Sequence, residues 1–326
     1  MDKVDVENKT DFADMENKMD SGDMVNKTDR VDMENKMDSG DMENMMDSPA
    51  GTVFEFKKVS YRYKQDRAAA LNEISFAIPL GKKTAIVGPN GAGKSTLIFH
   101  MNGLFSSESG EILFKGERLN KKTQAELVRR VGVVFQDPDD QIISMTVKDD
   151  VAFGPTQLGL SASEAKQRAM ESMELVGVTH LADLNPSELS FGQKKQVAVA
   201  GVIAMDTDVV ILDEPMAFLD PSGQRHIQGI MELLITNGKT VIIATHNMQL
   251  VAEWADHVIV VKNGACLGNM SPRELFCEHP HLLEEANLDL PPVAQMFHGL
   301  WEDRAAMPIQ IEEARRWIQA QLNAVK

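Results

Sequence analysis

One stretch of the chain combines glycines, a lysine and a serine at a spacing suited to holding phosphate groups. Residues 88–95, GPNGAGKS, match the pattern G-x-x-x-x-G-K-[ST] and lie between a predicted strand and a predicted helix. Backbone N–H groups of such a loop close around phosphate oxygens, and the helix N-terminus adds a partial positive charge. A chance glycine turn is the alternative. The predicted phosphate-binding residues are Gly88, Pro89, Asn90, Gly91, Ala92, Gly93, Lys94, Ser95 and Thr96.

Two consecutive carboxylates follow a second apolar run, Val209–Leu212. Asp213 ends this predicted strand, where a carboxylate can approach a Mg²⁺ ion beside Ser95. Glu214 comes next, and a carboxylate near a terminal phosphate can take a proton from an attacking water molecule. Lys94 is expected to reach the β- and γ-phosphates. The pattern therefore predicts a site of nucleotide hydrolysis, and a solvated pair of acids at a strand end is the other interpretation.

A third motif, LSFGQ at residues 189–193, lies between the glycine-rich loop and the two acids, with Ser190 23 residues before Asp213. The three motifs in this order resemble those of ATP-binding cassette (ABC) ATPases, the nucleotide-binding subunits of ABC transporters. The resemblance covers residues 53–265. It implies the α/β fold of a P-loop NTPase, with a RecA-like core, an antiparallel β subdomain and a helical signature subdomain. ATP and Mg²⁺ are the implied cofactors.

The resemblance also assigns roles to residues outside these motifs. Tyr63 is similar to the aromatic residue that stacks on adenine, although Tyr61 competes for the role and a core aromatic is the alternative. Gln136 matches a glutamine that contacts Mg²⁺ and the attacking water, and His246 matches a histidine that holds the γ-phosphate. A polar loop glutamine and a structural histidine are the alternatives. The implied catalytic residues are Glu214, His246 and Gln136, and the implied Mg²⁺ ligands are Ser95, Gln136 and Asp213.

In this family the signature motif contacts the ATP held by a second subunit, so the resemblance implies a dimer, either homodimeric or heterodimeric. One residue departs from the commonest signature, LSGGQ, because Phe191 replaces its first glycine. This side chain would obstruct the phosphate if it faced the ligand, or it would point away and pack into the helical subdomain. Because Ser190 and Gly192, the likelier γ-phosphate contacts, are intact, we expect an active site. The residues implied to act on the partner's ATP are Ser190, Phe191, Gly192, Gln193 and Asp220.

Three segments, LSFGQKK and the ranges 135–141 and 149–155, resemble ATPases of energy-coupling-factor transporters. These importers combine two ATPases with a transmembrane coupling protein and a substrate-binding membrane protein. Residues 283–291 look most like the cobalt/nickel branch, although vitamin-specific relatives share much of this segment. The resemblance makes Asp139, Asp140 and Gln141 candidates for the surface that receives the coupling protein. A solvated acidic loop is the alternative.

Other functions within the same resemblance are disfavoured by simple counts. Chromosome-type ABC proteins insert a long coiled coil into the cassette, and the 54 residues from Gln136 to Ser190 are too few for one. Translation-type members usually carry two cassettes, whereas this chain has one glycine-rich loop and one signature. A non-hydrolysing regulatory subunit is disfavoured because Lys94, Glu214 and His246 are all present. An exporter stays possible, since the cassette alone does not fix the direction of transport.

Composition divides the chain into three parts. Residues 1–50 repeat with a period of nine, and they carry 15 acidic and 6 basic residues, or −9 of the total charge of −16. Such a polar tail is expected to be disordered or weakly helical; metal binding by its methionines and carboxylates is the alternative. Residues 51–277 are predicted to form the ATPase domain, with its helical subdomain at about 137–200. Residues 278–326 are predicted to form an accessory helical segment.

Composition also limits the partners. Clustered basic residues are missing, so we expect no nucleic-acid partner. The two cysteines suggest neither a metal site nor a disulfide. No apolar run approaches the ~20 residues of a membrane helix, so work at a membrane would need a partner. The resemblance implies a peripheral subunit at the cytoplasmic face of the cell membrane. Strands are predicted at 53–63, 84–87, 110–114, 131–135, 208–212, 240–244 and, as the last, 258–261; helical patterns cover 95–104, 149–179, 222–236, 248–255 and 312–322, with a helix start at 271–274.

Overall fold

Strands and helices alternate along the chain, as the pattern of apolar runs predicts. The computed structural model describes residues 51–64, 68–299, 301 and 306–324. The predictions for the acidic repeat at 1–50 lie outside these residues. Within the described part, two sheets and a group of helices share two hydrophobic clusters.

The larger sheet has six strands in the order β10-β9-β3-β8-β7-β6. Five of them are parallel, and their central residues are almost entirely apolar and buried on both faces. That composition is expected of parallel strands covered by helices on both sides. The strands are β3 (Lys83–Val87), β6 (Val131–Val134), β7 (Val209–Asp213), β8 (Thr240–Thr245), β9 (His257–Lys262) and β10 (Ala265–Met270).

The smaller sheet is antiparallel and has the order β2-β1-β4-β5. Its inner face is built from alternating apolar residues, among which Phe56 stacks on Phe76 with ring centroids 4.5 Å apart. This face packs with helix α1 (Lys94–Met101) and the inward side of the large sheet in one cluster. The strands are β1 (Thr52–Tyr61), β2 (Leu71–Pro79), β4 (Ser109–Phe114) and β5 (Glu117–Arg118).

Three helices, α3, α4 and α5, pack against one another between β6 and β7. The helical pattern at 149–179 forms two helices, because Gly159 has a φ of 97° and Ser161 caps the second helix through a hydrogen bond from the Glu164 backbone. The helices are α1 (Lys94–Met101), α2 (Lys121–Leu127), α3 (Val147–Gln157), α4 (Ala162–Val176), α5 (Phe191–Ala204), α6 (Pro221–Thr236), α7 (Met248–Trp254), α8 (His281–Glu285), α9 (Pro292–Phe297) and α10 (Ile311–Ala324), together with a π-helical turn at Glu274–Glu278.

One sequence prediction about the sheet is wrong. The strand at 258–261 is not the last, because the Asn263-Gly264 turn returns the chain antiparallel as β10 at the sheet edge. The sequence reading also missed β2, α2 and α5. In contrast, the predicted helix start is confirmed, since Ser271 and Glu274 exchange backbone-to-side-chain hydrogen bonds.

The C-terminal segment packs onto the same core as the large sheet. Phe276, Leu283 and Ala294 are buried in the cluster that also holds the helices α3 to α5. The division at 277/278 stays a prediction. Among the described residues, none of the helices combines the length and apolarity that crossing a membrane requires.

Gly110 of β4 offers a test of the pairing between β1 and β4, the two central strands of the smaller sheet. Its φ is +80°, and a Cβ there would lie 2.2 Å from the Lys58 carbonyl oxygen, at a bulge of β1. Gly238 has a similar φ of +76° but open space around it. We expect Gly238→Ala to cost about 1 kcal/mol from backbone strain alone. Gly110→Ala should cost a further ~1–3 kcal/mol from the clash, measured by urea unfolding. Equal costs for the two variants would contradict the proposed strand packing.

Candidate functional site

A cleft of about 860 Å³ opens at the carboxyl edge of the parallel sheet. Strands β3, β8, β7 and β6 are consecutive neighbours there, so the loops that follow them meet at one place. Ligand sites of open α/β sheets form at such an edge. The predicted site residues that line the cleft are Tyr63, Asn90, Gly91, Gly93, Lys94, Ser95, Thr96, Gln136, Asp213, Glu214 and His246.

The glycine-rich loop connects β3 to α1. Gly93 has a φ of 107°, and a Cβ there would come within 2.9 Å of the Ala70 carbonyl oxygen, so glycine is required by both conformation and space. The Lys94 Nζ donates to the carbonyl oxygens of Gly88 (2.8 Å) and Pro89 (3.2 Å). Burial lowers the pKa of Lys94, and the nearby carboxylates of Glu214 and Asp213 oppose that shift. The lysine therefore lies folded across its own loop, beside the place where a phosphate would bind.

Oxygen ligands suited to Mg²⁺ meet on the floor of the cleft. The Ser95 Oγ donates to Asp213 Oδ2 at 3.3 Å, and Gln136 lines the same cleft. Burial raises the pKa of Asp213, while the Ser95 hydrogen bond lowers it. Mg²⁺ typically takes one or two protein oxygens and keeps several waters, or uses phosphate oxygens of a nucleotide. The residues present fit this ion.

The Glu214 carboxylate is held by two neighbours from the end of β8. Its Oε2 accepts from the Thr245 Oγ1 at 2.9 Å, and its Oε1 lies 2.6 Å from the His246 Nδ1. The backbone of Glu214 has a φ of 45°, and its N–H donates to the Ala244 carbonyl at 2.8 Å. A left-handed conformation is uncommon for residues other than glycine and is often found at functional sites. The side chain is buried but faces the cleft.

The two candidate tyrosines occupy different positions. Tyr63 lines the cleft, and its hydroxyl lies 3.1 Å from the Thr96 Oγ1. Tyr61 stacks on Phe105 with ring centroids 5.1 Å apart and also contacts His100 edge-on. The geometry therefore favours Tyr63 as the residue facing a nucleotide base and gives Tyr61 a packing role.

The signature residues lie at the start of α5 and do not line the cleft of their own chain. Ser190 caps α5: its Oγ accepts from the Gln193 N–H, and the Gln193 Oε1 accepts from the Ser190 N–H. Asp220 similarly caps α6, accepting from the Gly223 N–H at 2.7 Å. Ser190 and Asp220 therefore each lie at the N-terminus of a helix, a place that favours the binding of anions.

Phe191 contacts a residue outside the helical region. Its ring lies 5.4 Å from that of Phe218, at an angle of 73°. Phe218 follows the Asp213-Glu214 pair, is 77% exposed and has a φ of 61°. Packing of Phe191 into the helical subdomain is therefore replaced by an aromatic contact with the loop before Asp220. Its position relative to a phosphate stays a prediction.

Two residues close to the site were not singled out from the sequence. Thr245 supports Glu214, as described above. Lys195 is fully buried in α5, and its Nζ donates to the Glu214 carbonyl oxygen at 2.7 Å. Burial lowers its pKa to about 8, opposed by the neighbouring carboxylates of Asp213, Glu214 and Asp137. Its position in the sequence could have indicated burial, because at helical spacing Lys195 lies on the same face as the buried Val199 and Val202.

Comparison with known proteins agrees with this geometry. Residues 71–217 match the family described as ABC transporter. The chain is 42% identical over 262 residues to the energy-coupling factor transporter ATP-binding protein EcfA of Carboxydothermus hydrogenoformans, covering 80% of this chain and 96% of that protein.

Two solved structures extend the comparison. One is CbiO1 of Clostridium perfringens, described as part of the ABC transporter complex CbiONQ. It has a TM-score of 0.63 and 38% identity, and the match covers 76% of this chain and 99% of that one. The other is a dimeric ATP-binding cassette in a post-hydrolysis state with ADP and Pi, with a TM-score of 0.61, 26% identity, and 67% and 98% of the two chains covered.

Taken together, fold, cleft and comparisons define an ABC-type ATPase. The chain belongs to the ATP-binding proteins of ABC transporters, and among these to the energy-coupling factor type. The predicted fold class, the predicted binding of ATP and the predicted ATP hydrolase activity are thereby confirmed. The roles of individual residues stay predictions.

Thr245 and Thr84 give a matched test of the support for Glu214. Both are buried in adjacent strands, but only Thr245 donates to the Glu214 carboxylate; within the described residues, the Thr84 Oγ1 has no hydrogen-bond partner. We expect Thr245→Val to lower the free energy of unfolding by about 1–3 kcal/mol, because a buried carboxylate loses a donor. Thr84→Val should be neutral or slightly stabilising. Urea titration measures both, and a neutral Thr245→Val would contradict the assigned hydrogen bond.

Proposed function

We propose that this cleft hydrolyses MgATP and that the energy drives an energy-coupling factor importer. One observation carries the proposal: Lys94, Ser95, Asp213 and Glu214 line the same cleft, although they come from two separate parts of the chain. Ser95, Gln136 and Asp213 would hold Mg²⁺, which when bound neutralises phosphate charge. Gly88, Pro89, Asn90, Gly91, Ala92, Gly93, Lys94, Ser95 and Thr96 would surround the phosphates, with Tyr63 against the base.

In the proposed reaction, Glu214 accepts the proton of the attacking water molecule while its carboxylate is held by Thr245 and His246. Because the Glu214 Oε1 and the His246 Nδ1 are 2.6 Å apart, the imidazole is oriented by the carboxylate, and its other nitrogen is free to face the γ-phosphate. Gln136 lies across the cleft, where it would position the water. The protein contributes mainly positioning and charge stabilisation, as in other phosphoryl transfers.

A second subunit would complete the site. Ser190 and Asp220 are exposed, and Phe191, Gly192 and Gln193 are half-buried. None of the five lines the cleft of its own chain, which supports a role in contacting ATP held by a partner. Binding of ATP would then close the dimer, and loss of the γ-phosphate would release it. The dimeric state of the related cassette supports this arrangement. A homodimer or a heterodimer would satisfy it equally.

A groove of about 260 Å³ beside the Gln136 loop is the proposed docking surface for the transmembrane coupling protein. Phe135, Ile143 and Phe153 line it, and Ile143 is 68% exposed. Exposed apolar side chains in one groove favour a protein partner. Asp140 is exposed and precedes Gln141, which lines the groove. The Gln141 side chain points inward, accepting from the Phe135 N–H and donating to the Val133 carbonyl. We therefore keep Asp139 and Asp140 as surface candidates and give Gln141 a structural role.

The transported substrate is proposed to be cobalt or nickel, supported by the likeness to CbiO1 and by residues 283–291. A vitamin importer is the alternative. The chain would lie at the cytoplasmic face of the membrane beside the coupling protein and a substrate-binding membrane protein, which would alone contact the substrate. Uptake of radioactive Co²⁺ and Ni²⁺ by the reconstituted transporter tests the choice. Vitamin uptake without metal uptake would contradict it.

Glu214→Gln tests the general base directly. We expect kcat for ATP hydrolysis to fall about 10²–10⁴-fold, because the amide cannot accept the proton. The equilibrium affinity for MgATP should be retained, which serves as the control for folding. Hydrolysis at the wild-type rate would show that another group is the base.

Asp140→Lys tests the docking surface. In the reconstituted transporter we expect substrate uptake to be lost while the basal ATPase activity of the isolated chain is unchanged, since Asp140 lies outside the cleft. Asp139→Lys should act similarly but also breaks the Lys194–Asp139 ion pair of 2.6 Å. Unchanged uptake by an assembled complex carrying Asp140→Lys would reject this surface.

A further inference from the structure

Lys195 is one of the largest fully buried side chains of the described residues, yet it carries an ammonium group. It is 0% exposed among the apolar residues of α5, and its hydrogen bonds go to backbone carbonyl oxygens, those of Glu214 at 2.7 Å and Gln136 at 3.4 Å. Taking an ammonium group out of water is costly unless its donors are used. An apolar side chain of equal length would avoid that cost but would leave both carbonyls without this donor.

The Glu214 contact fixes the one backbone group of that residue that the strands do not hold. The Glu214 N–H bonds to Ala244, and the carboxylate bonds to Thr245 and His246. The carbonyl oxygen accepts from the Lys195 Nζ at 2.7 Å and from the Ala217 N–H at 3.1 Å. Every hydrogen-bonding group of Glu214 is therefore engaged, and Lys195 contributes the contact that comes from the signature helix α5.

The Gln136 contact reaches the opposite wall of the cleft. Gln136 follows β6, and the loop after it is tied to α5 twice. Lys195 bonds to the Gln136 carbonyl from inside, and Lys194 pairs with Asp139 from the surface. A single ammonium thus lies between the two loops that carry the proposed general base and the proposed water-positioning glutamine.

Lys195 also belongs to the signature helix. Ser190 caps α5, and Lys195 lies five residues further, or about 7 Å along the axis. A displacement of α5 by a partner's nucleotide would move the Lys195 ammonium with it. On the basis of the proposed function, we propose that Lys195 is a positioning residue for hydrolysis: it holds the Glu214 and Gln136 carbonyls and joins the chain's own site to the signature that serves the partner.

The test compares Lys195→Met with Lys194→Met, a neighbouring lysine whose partner is on the surface. For Lys195→Met we expect kcat to fall about 10–100-fold, as for a small misplacement of reacting groups, while the Kd for MgATP changes less than about twofold. Lys194→Met should leave both values near wild type. Lys195→Gln keeps one donor with shorter reach and should give an intermediate kcat.

Several outcomes reject the proposal. Wild-type kcat in Lys195→Met would show that the contact is dispensable. Loss of ATP binding in parallel with kcat, in both Lys195→Met and Lys195→Gln, would show that Lys195 only supports the fold. Failure of the proposed function is separate: it would appear as unchanged hydrolysis in Glu214→Gln, whatever the Lys195 variants do.

Discussion

The register of four neighbouring parallel strands determines where every element of the site lies. Val87 of β3 pairs with Thr245 of β8, and Ala244 of β8 pairs with Asp213 of β7, so these strands end at the same level. The glycine-rich loop, the residues supporting Glu214 and the two acids therefore meet without any long connection. A shift of one residue in this ladder would turn buried side chains toward the opposite face, and the cleft would lose its acids.

The carboxylates of Asp213 and Glu214 have a lysine on each of two sides, and the positive charges of these lysines offset their negative charges. Lys94 lies on the phosphate side, where burial lowers its pKa, and Lys195 lies beneath the acids, where burial lowers its pKa to about 8. Burial raises the pKa of Asp213. Groups that are each unfavourable in isolation stabilise one another at close range. A nucleotide with its metal ion would add charges that fit this distribution, and the Lys94 Nζ would exchange its loop carbonyls for phosphate oxygens.

The sequence was informative where spacing alone encodes the geometry. The glycine-rich loop and the Asp213-Glu214 pair were predicted to meet because each follows a strand. The loop residues Asn90, Gly91 and Gly93–Ser95 do line one cleft with the two acids. The antiparallel β10 was missed because Ala265–Met270 is short, half-exposed and carries few β-branched residues. Helix α5 was missed because its residues from 197 to 204 are buried on nearly every side, so its apolar residues do not repeat with the helical period. Contacts such as Phe191 with Phe218 depend on the path of two loops, which no local pattern records.

The central claim is that this cleft holds one ATP and that a second subunit completes it. A structure of the Glu214→Gln variant with ATP and Mg²⁺ tests it most directly. We expect a dimer in which Lys94 leaves the Gly88 carbonyl to contact phosphate, while Ser190 of the partner subunit reaches the γ-phosphate. ATP bound in this cleft of a monomer, or with the signature turned away from the nucleotide, would contradict the account.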